Sequence, residues 1–180
     1  MGGYFYTVAS LPYLSFETTA TMSNEDFLFL CQNTISRGDW EILREVKFYS
    51  SSDRKTGNAT YDSWTSAEQS LRAELAKLRA AKKGHETESY NRYGAFSQNI
   101  LDAARKAFNE NSPLEAETLV LQTLWALLDE LEAGHLFDLD KLIAYYLRMQ
   151  ILELKNKRNK TDGNTKFSLL YESIVKKNPS

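Results

Sequence analysis

Two long apolar segments in the second half of the chain constrain the fold more than any other feature. The first opens with Ser112-Pro113-Leu114-Glu115, an N-cap serine followed by proline at the first helical position and glutamate at the third. This pattern predicts a helix over 113–133 that Gly134 ends. Asp138 is placed to cap a second helix over 139–158. Because only five residues connect them, the two helices are predicted to pair antiparallel as a hairpin.

The apolar content of the hairpin predicts how it packs. Residues 119–128 are apolar almost all round, which is typical of a helix buried on most sides. Counting outward from the connection places Trp125 near Leu147 and Glu117 near Lys155. The first of these pairs would lie inside the hairpin, and the second would join its two helices by charge.

Start and stop signals predict further helices along the chain. In order, these are two short helices capped by Ser23 and Ser36, a helix from Ser63 or Thr65 to about Lys83, one from about Ser97, and one over 165–177 after a turn at Asp162-Gly163-Asn164. The aromatic segment Tyr4–Leu11 fits neither alternation nor helical spacing, so its type stays open. The predicted fold class is all-α, an irregular helical bundle of about six to seven helices around a central antiparallel hairpin. We expect a single helical domain over 1–180, with the polar stretch 50–62 as its candidate internal boundary.

Charge and hydropathy exclude several classes of function. The formal net charge of the 180 residues is −2, and the basic residues over 155–160 stand at the predicted end of a helix, where they complement its dipole. Nucleic acid is therefore not an expected partner. No apolar run reaches the roughly 18 residues of a membrane span, and no signal peptide is apparent. The lone Cys31 fits a reducing compartment. We expect a cytoplasmic protein that reaches a membrane only through partners.

No recognisable catalytic or metal motif is present in the sequence. Only His85 and His135 could serve Cys31 as a base, and neither stands in a familiar catalytic signature. The same residues are too few and too scattered for a zinc site. Phosphate-binding glycine motifs do not occur. We therefore expect no catalytic residue, no cofactor and no metal, and we do not expect an enzyme.

Two charged residues fall on apolar helix faces and are candidate buried charges. Glu117 shares the face of Leu121 and Leu124, and Arg148 has Tyr145 among its helical neighbours. A buried ion can mark a functional site. It is more often a structural ion pair or a side chain that extends its charged end to solvent.

The order of several motifs resembles a known family. The motifs are Tyr4-x-Tyr6-x-x-Ala9-Ser10-Leu11-Pro12, Met22-Ser23-x-Glu25-x-Phe27-Leu28, Asp39-Trp40, Ser112-Pro113-Leu114-Glu115-Ala116-Glu117, Trp125, Leu128-Asp129-Glu130-Leu131-Glu132, Gly134-His135-x-Phe137-Asp138-Leu139-Asp140 and Leu142-x-x-Tyr145-x-Leu147-x-Met149-Gln150. They resemble an uncharacterised bacterial family encoded with V/A-type ATP synthase. Members of that family look like shortened relatives of the ATPase's socket subunit, a helical protein that joins the central rotor stalk to the membrane ring.

The resemblance implies a non-catalytic accessory or central-stalk component of a V/A-type ATPase. Such a protein acts through contacts with the stalk and membrane-ring subunits. A transient assembly or regulatory adaptor is an alternative, and so is an enzyme with an unrecognised site. The candidate partner-binding residues are Tyr4, Tyr6, Tyr145 and Arg148.

Overall fold

The computed structural model describes residues 2–50, 55–85 and 98–177, with side chains up to Arg158. Within these ranges every regular element is an α-helix, so the predicted all-α class is confirmed. The seven helices are α1 (Gly2–Ser10), α2 (Asn24–Thr34), α3 (Arg37–Leu43), α4 (Ala59–Lys82), α5 (Gln98–Asn109), α6 (Pro113–Glu132) and α7 (Leu139–Lys177).

Local capping explains where most of the helices begin and end. The predicted N-caps Ser23, Ser36 and Ser112 are confirmed, because each hydroxyl accepts the backbone N–H of the third helical residue. At the other helix ends, Gly84 and Gly134 adopt φ of +73° and +90°, a conformation that favours glycine. Short-range chemistry therefore sets these helix boundaries.

The start of α4 corrects the sequence prediction. The helix begins at Ala59 rather than after Ser63 or Thr65, because Asn58 is its N-cap and accepts the Tyr61 N–H at 2.8 Å. The Asn58 amide also donates to Asp140 at 3.0 Å, which ties this cap to the start of α7. Of the predicted boundary region 50–62, residues 51–54 lie outside the described residues and 59–62 are helical.

The predicted turn at Asp162-Gly163-Asn164 is wrong. The backbone of α7 continues as one helix through these residues to Lys177. A glycine inside a helix costs only about 1 kcal/mol relative to alanine. Extending an existing helix is much easier than starting a new one, which favours this continuation.

The aromatic first segment forms helix α1, which packs closely against α2. A Cβ atom placed on Gly3 would collide with the carbonyl oxygen of Thr34, so only glycine permits this approach. The buried Thr7 hydroxyl donates to the Thr34 hydroxyl at 2.7 Å. Helix α1 ends at Ser10, shortly before Pro12.

The hairpin of α6 and α7 lies at the centre of the bundle, but its two helices are buried to different extents. Most side chains over 139–152 of α7 are fully buried. In α6, only Leu121, Leu124 and Leu128 are fully buried, so the prediction of a helix buried on most sides was too strong. Half-buried Val120 and Leu127 of α6 contact both hydrophobic clusters, one centred on α7 and one between α4 and α5.

Candidate protein-binding surface

An exposed aromatic patch lies where α1 meets the α6–α7 connection. The rings of Phe5 and Phe137 are 4.9 Å apart between centroids, yet they remain 59% and 47% exposed. The residues next to them in sequence, Tyr6 and Leu136, are 64% and 67% exposed. These four residues form what we call the aromatic patch. Contiguous exposed apolar side chains on a folded protein mark contact surfaces.

A shallow acidic pocket of about 440 Å³ shares Phe137 with the aromatic patch. Carboxylates from Asp39, Asp138 and Asp140 line it together with Tyr4. The surface thus combines exposed aromatic rings with a group of negative charges. Electrostatic complementarity favours a partner segment that presents apolar and basic side chains.

Tyr4 links α1 to the acidic pocket. Its hydroxyl donates to the Oδ2 atom of Asp39, the same oxygen that accepts the Ser36 hydroxyl at 2.7 Å. Burial, the hydrogen bond to Asp39 and nearby carboxylate charges raise the pKa of the Tyr4 phenol. Tyr4 therefore stays a neutral hydrogen-bond donor that holds one wall of the pocket.

His135, Asp138 and Asp140 group at the edge of the same surface. The His135 Nδ1 atom lies 2.7 Å from Asp138 Oδ2 and 3.8 Å from Asp140 Oδ2. The hydrogen bond to Asp138 is the main cause that raises the pKa of His135. One ligand atom from each residue lies within 4.8 Å of the others, a spacing that could hold a cation. Because Asp138 Oδ1 also accepts the Lys141 N–H at 3.0 Å, we assign the group to capping of α7.

Arg148 joins the two helices of the hairpin through a charged network. Its side chain is only 12% exposed and contacts Glu132 while also donating to Asp129 at 2.6 Å. Lys141 contacts the other oxygen of Glu132, and the Arg148 guanidinium lies 5.6 Å from the Trp125 ring centre. Arg148 was predicted as both a buried charge and a partner contact. The structure gives it internal partners on α6.

Tyr145 is a correction among the predicted contact residues, because its side chain is buried rather than exposed. The ring stacks on Phe27, with 5.4 Å between centroids, and the hydroxyl donates to the Pro12 carbonyl at 2.8 Å. Burial raises the pKa of Tyr145 to about 12. Its role is to hold the segment after α1 against α7. Of the other candidates, Tyr6 is exposed and Tyr4 is half-buried.

Glu117 lies on a different part of the hairpin and is 50% exposed. It pairs with Arg158 at 3.0 Å rather than with Lys155, which was the predicted neighbour. Lys155 instead donates to the Phe16 carbonyl and lies over the Phe16 ring. Arg158 follows Lys155 by three positions, so the antiparallel pairing holds while the predicted ion pair is wrong.

Cys31 is poorly suited to nucleophilic chemistry. The side chain is fully buried, and burial raises the pKa of its thiol to about 12. A thiol acts as a nucleophile in its ionised form, which is scarce under these conditions. Cys31 packs with Phe27 in the main hydrophobic cluster as a small apolar residue.

Comparison with known proteins gives no match to a family model, to a curated protein or to a solved structure. In the part of the chain that the structure describes, no helix combines the length and apolar character needed to cross a membrane. The aromatic patch was only partly visible in the sequence. Tyr4 and Tyr6 were singled out there, but Phe5 and Phe137 are 132 residues apart and their contact depends on tertiary packing.

Proposed function

We propose that this chain is a non-catalytic accessory or central-stalk component of a V/A-type ATPase that acts through protein–protein contacts. The resemblance of its motifs to the family encoded with V/A-type ATP synthase supplies the name of the partner. The aromatic patch and the acidic pocket supply a surface on which a partner could bind.

The observation that carries the proposal is the convergence of separate motifs on that surface. Three of the motifs that support the resemblance, Tyr4-x-Tyr6, Asp39-Trp40 and Gly134-His135-x-Phe137-Asp138-Leu139-Asp140, are far apart in sequence. Tyr4, Asp39, Asp138 and Asp140 nevertheless line one pocket, and Phe137 joins it to the patch. Structural packing alone does not require exposed rings there, whereas a binding role does.

A second observation agrees with a role in transmitting force. Arg148 crosses from α7 to Asp129 and Glu132 of α6, and Lys141 adds a further contact to Glu132. Cross-links by charge over an apolar interface stiffen the hairpin against sliding of one helix along the other. A component that holds a rotating stalk needs a body of this kind.

Affinity purification of the tagged chain from its native cell in mild detergent, with quantitative mass spectrometry, tests the proposal. Stalk and membrane-ring subunits recovered at a constant ratio near stoichiometry are the expected result. Consistently substoichiometric recovery would favour the transient adaptor. Reproducible recovery of other proteins without any ATPase subunit would contradict the proposal.

The enzyme alternative is distinguished by a separate control. Cys31→Ser replaces the thiol with a group of similar size, and its fold is checked by circular dichroism. If the chain is non-catalytic, the variant retains its partners. Loss of a measurable turnover activity in a folded Cys31→Ser protein would support an enzyme instead.

A further inference from the structure

A cavity of about 300 Å³ lies between α4, α5 and α6. Its wall is mostly apolar and includes Leu71, Leu75, Val120 and Leu121. The volume is at the lower end of the range of small-molecule sites, about 300 to 1,000 Å³. Apolar walls of this extent suit the body of a small organic molecule.

Glu68 is the polar group in the wall whose bonding is incomplete. The residue is 1% exposed, and its Oε1 atom accepts the Nε–H of Arg72 at 2.7 Å. No donor in the described part of the protein reaches the Oε2 atom, which is buried as well. A buried carboxylate oxygen without a donor is costly, so a ligand that donates a hydrogen bond to it would gain affinity.

The charges around the cavity restrict which donor fits. Three arginines line it, Arg72, Arg79 and Arg158, against the two carboxylates of Glu68 and Glu117. Arg158 is paired with Glu117, whereas no described residue forms an ion pair with Arg79. An ammonium group would meet a net positive environment and is disfavoured. A neutral hydroxyl can donate to Oε2 without that penalty.

We propose that this cavity binds a small, mostly apolar molecule whose hydroxyl group donates a hydrogen bond to Glu68. The apolar wall holds the body of the molecule, and Glu68 fixes its orientation. The site is separate from the aromatic patch, so it stands or falls independently of the ATPase assignment.

A pair of matched probes, p-cresol and 4-methylanisole, tests the proposal by titration calorimetry. The two molecules share the ring and methyl group, but the methyl ether cannot donate a hydrogen bond. We expect saturable binding of p-cresol to the full chain, about tenfold tighter than binding of the ether. Equal affinities, or no saturable binding of p-cresol up to its solubility limit, would overturn the proposal.

Two variants connect the preference to this cavity. Glu68→Gln presents an amide that can donate as well as accept, so the preference for p-cresol over the ether should fall to about twofold or less. Val120→Phe fills the cavity without touching Glu68 and should abolish binding of both probes. Glu74→Gln, a half-buried carboxylate on the same helix that does not line the cavity, is the control and should bind as the natural chain does. An unchanged preference in Glu68→Gln, or unchanged binding in Val120→Phe, would place the probes elsewhere and overturn the proposal.

Discussion

Arg148 and Glu68 are both charged residues withdrawn from solvent, yet they differ in how completely they are partnered. Arg148 contacts two carboxylates on α6 and lies over the Trp125 ring. Glu68 has one ion-pair partner, Arg72, and leaves an oxygen without a donor among the described residues. The first arrangement satisfies a buried charge within the protein. The second leaves part of that work to a molecule from outside.

The comparison separates a structural charge from a binding charge by the surroundings of each. The neighbours of Arg148 join helices that are consecutive in the chain, and the pairing secures the hairpin. Glu68 and Arg72 are one turn apart on the same helix, so their pairing secures no tertiary contact. Removing each charge should therefore have opposite effects on stability.

Arg148→Ala should produce the largest effect, a loss of about 3 kcal/mol in the free energy of unfolding. The variant leaves Glu132 poorly compensated and removes the contact with Trp125. Urea unfolding followed by circular dichroism measures the change. Arg105→Ala, which removes an exposed pair with Asp102, is the control and should cost below about 1 kcal/mol. Similar losses in both variants would show that the buried network is not special.

Glu68→Gln should change how stability depends on pH. Burial raises the pKa of Glu68 from 4.5 to about 7, while the Arg72 guanidinium opposes the rise. Because the folded pKa is raised, the resulting stabilisation is complete below pH 4.5 and is lost as the pH increases through about 7. The full amplitude is on the order of 3 kcal/mol, since one pKa unit corresponds to about 1.4 kcal/mol.

The charged groups that face Glu68 are Arg72 and Arg79 on α4, Glu117 on α6 and Arg158 on α7. None of them changes in Glu68→Gln, so the difference between the variant and the natural chain isolates Glu68. Unfolding measured between pH 4.5 and 8 should show a stability decline in the natural chain that is smaller in the variant. Parallel pH profiles would mean that Glu68 is ionised throughout, as Arg148 is, and would remove the contrast between the two residues.

The smallest effect is expected at His135, an exposed ion pair outside both buried sites. The hydrogen bond to Asp138 raises its pKa above 6.5, so its stabilisation is complete below pH 6.5 and is lost as the pH rises through the higher folded value. His135→Gln should cost below about 1 kcal/mol at pH 5.5 and close to nothing at pH 8.5. A larger loss at pH 8.5 than at pH 5.5 would contradict the capping assignment.

Sequence analysis could predict what local chemistry controls. The serine caps and the glycine helix ends depend on residues within a few positions of each other, and these predictions are confirmed. The predicted turn at Gly163 is wrong because a weak local preference for a turn loses to helix continuation. The predicted partner of Glu117 is three residues off because a count along two helices does not fix their rotation.

The candidate sites are less predictable, for two different reasons. Glu68 shares the apolar helix face of Trp64, Leu71 and Leu75, which is the same pattern that indicates a buried charge at Glu117. A signal for Glu68 is therefore present in the sequence, although only the structure drew attention to it. The contact of Phe5 with Phe137 joins distant parts of the chain, and no local pattern encodes it.

The measurement that tests the binding account most directly is partner recovery by a Phe5→Asp variant in the affinity purification described above. Phe5 is exposed, so an aspartate there should leave the fold intact while placing a charge in the aromatic patch. Phe29→Asp is the control, since Phe29 is also exposed but has no ring contact with the described patch residues. We predict that recovery of ATPase stalk and ring subunits falls by at least about tenfold for Phe5→Asp and stays within about twofold for Phe29→Asp. Undiminished recovery with Phe5→Asp, or an equal loss in both variants, would contradict the claim that the aromatic patch binds the partner.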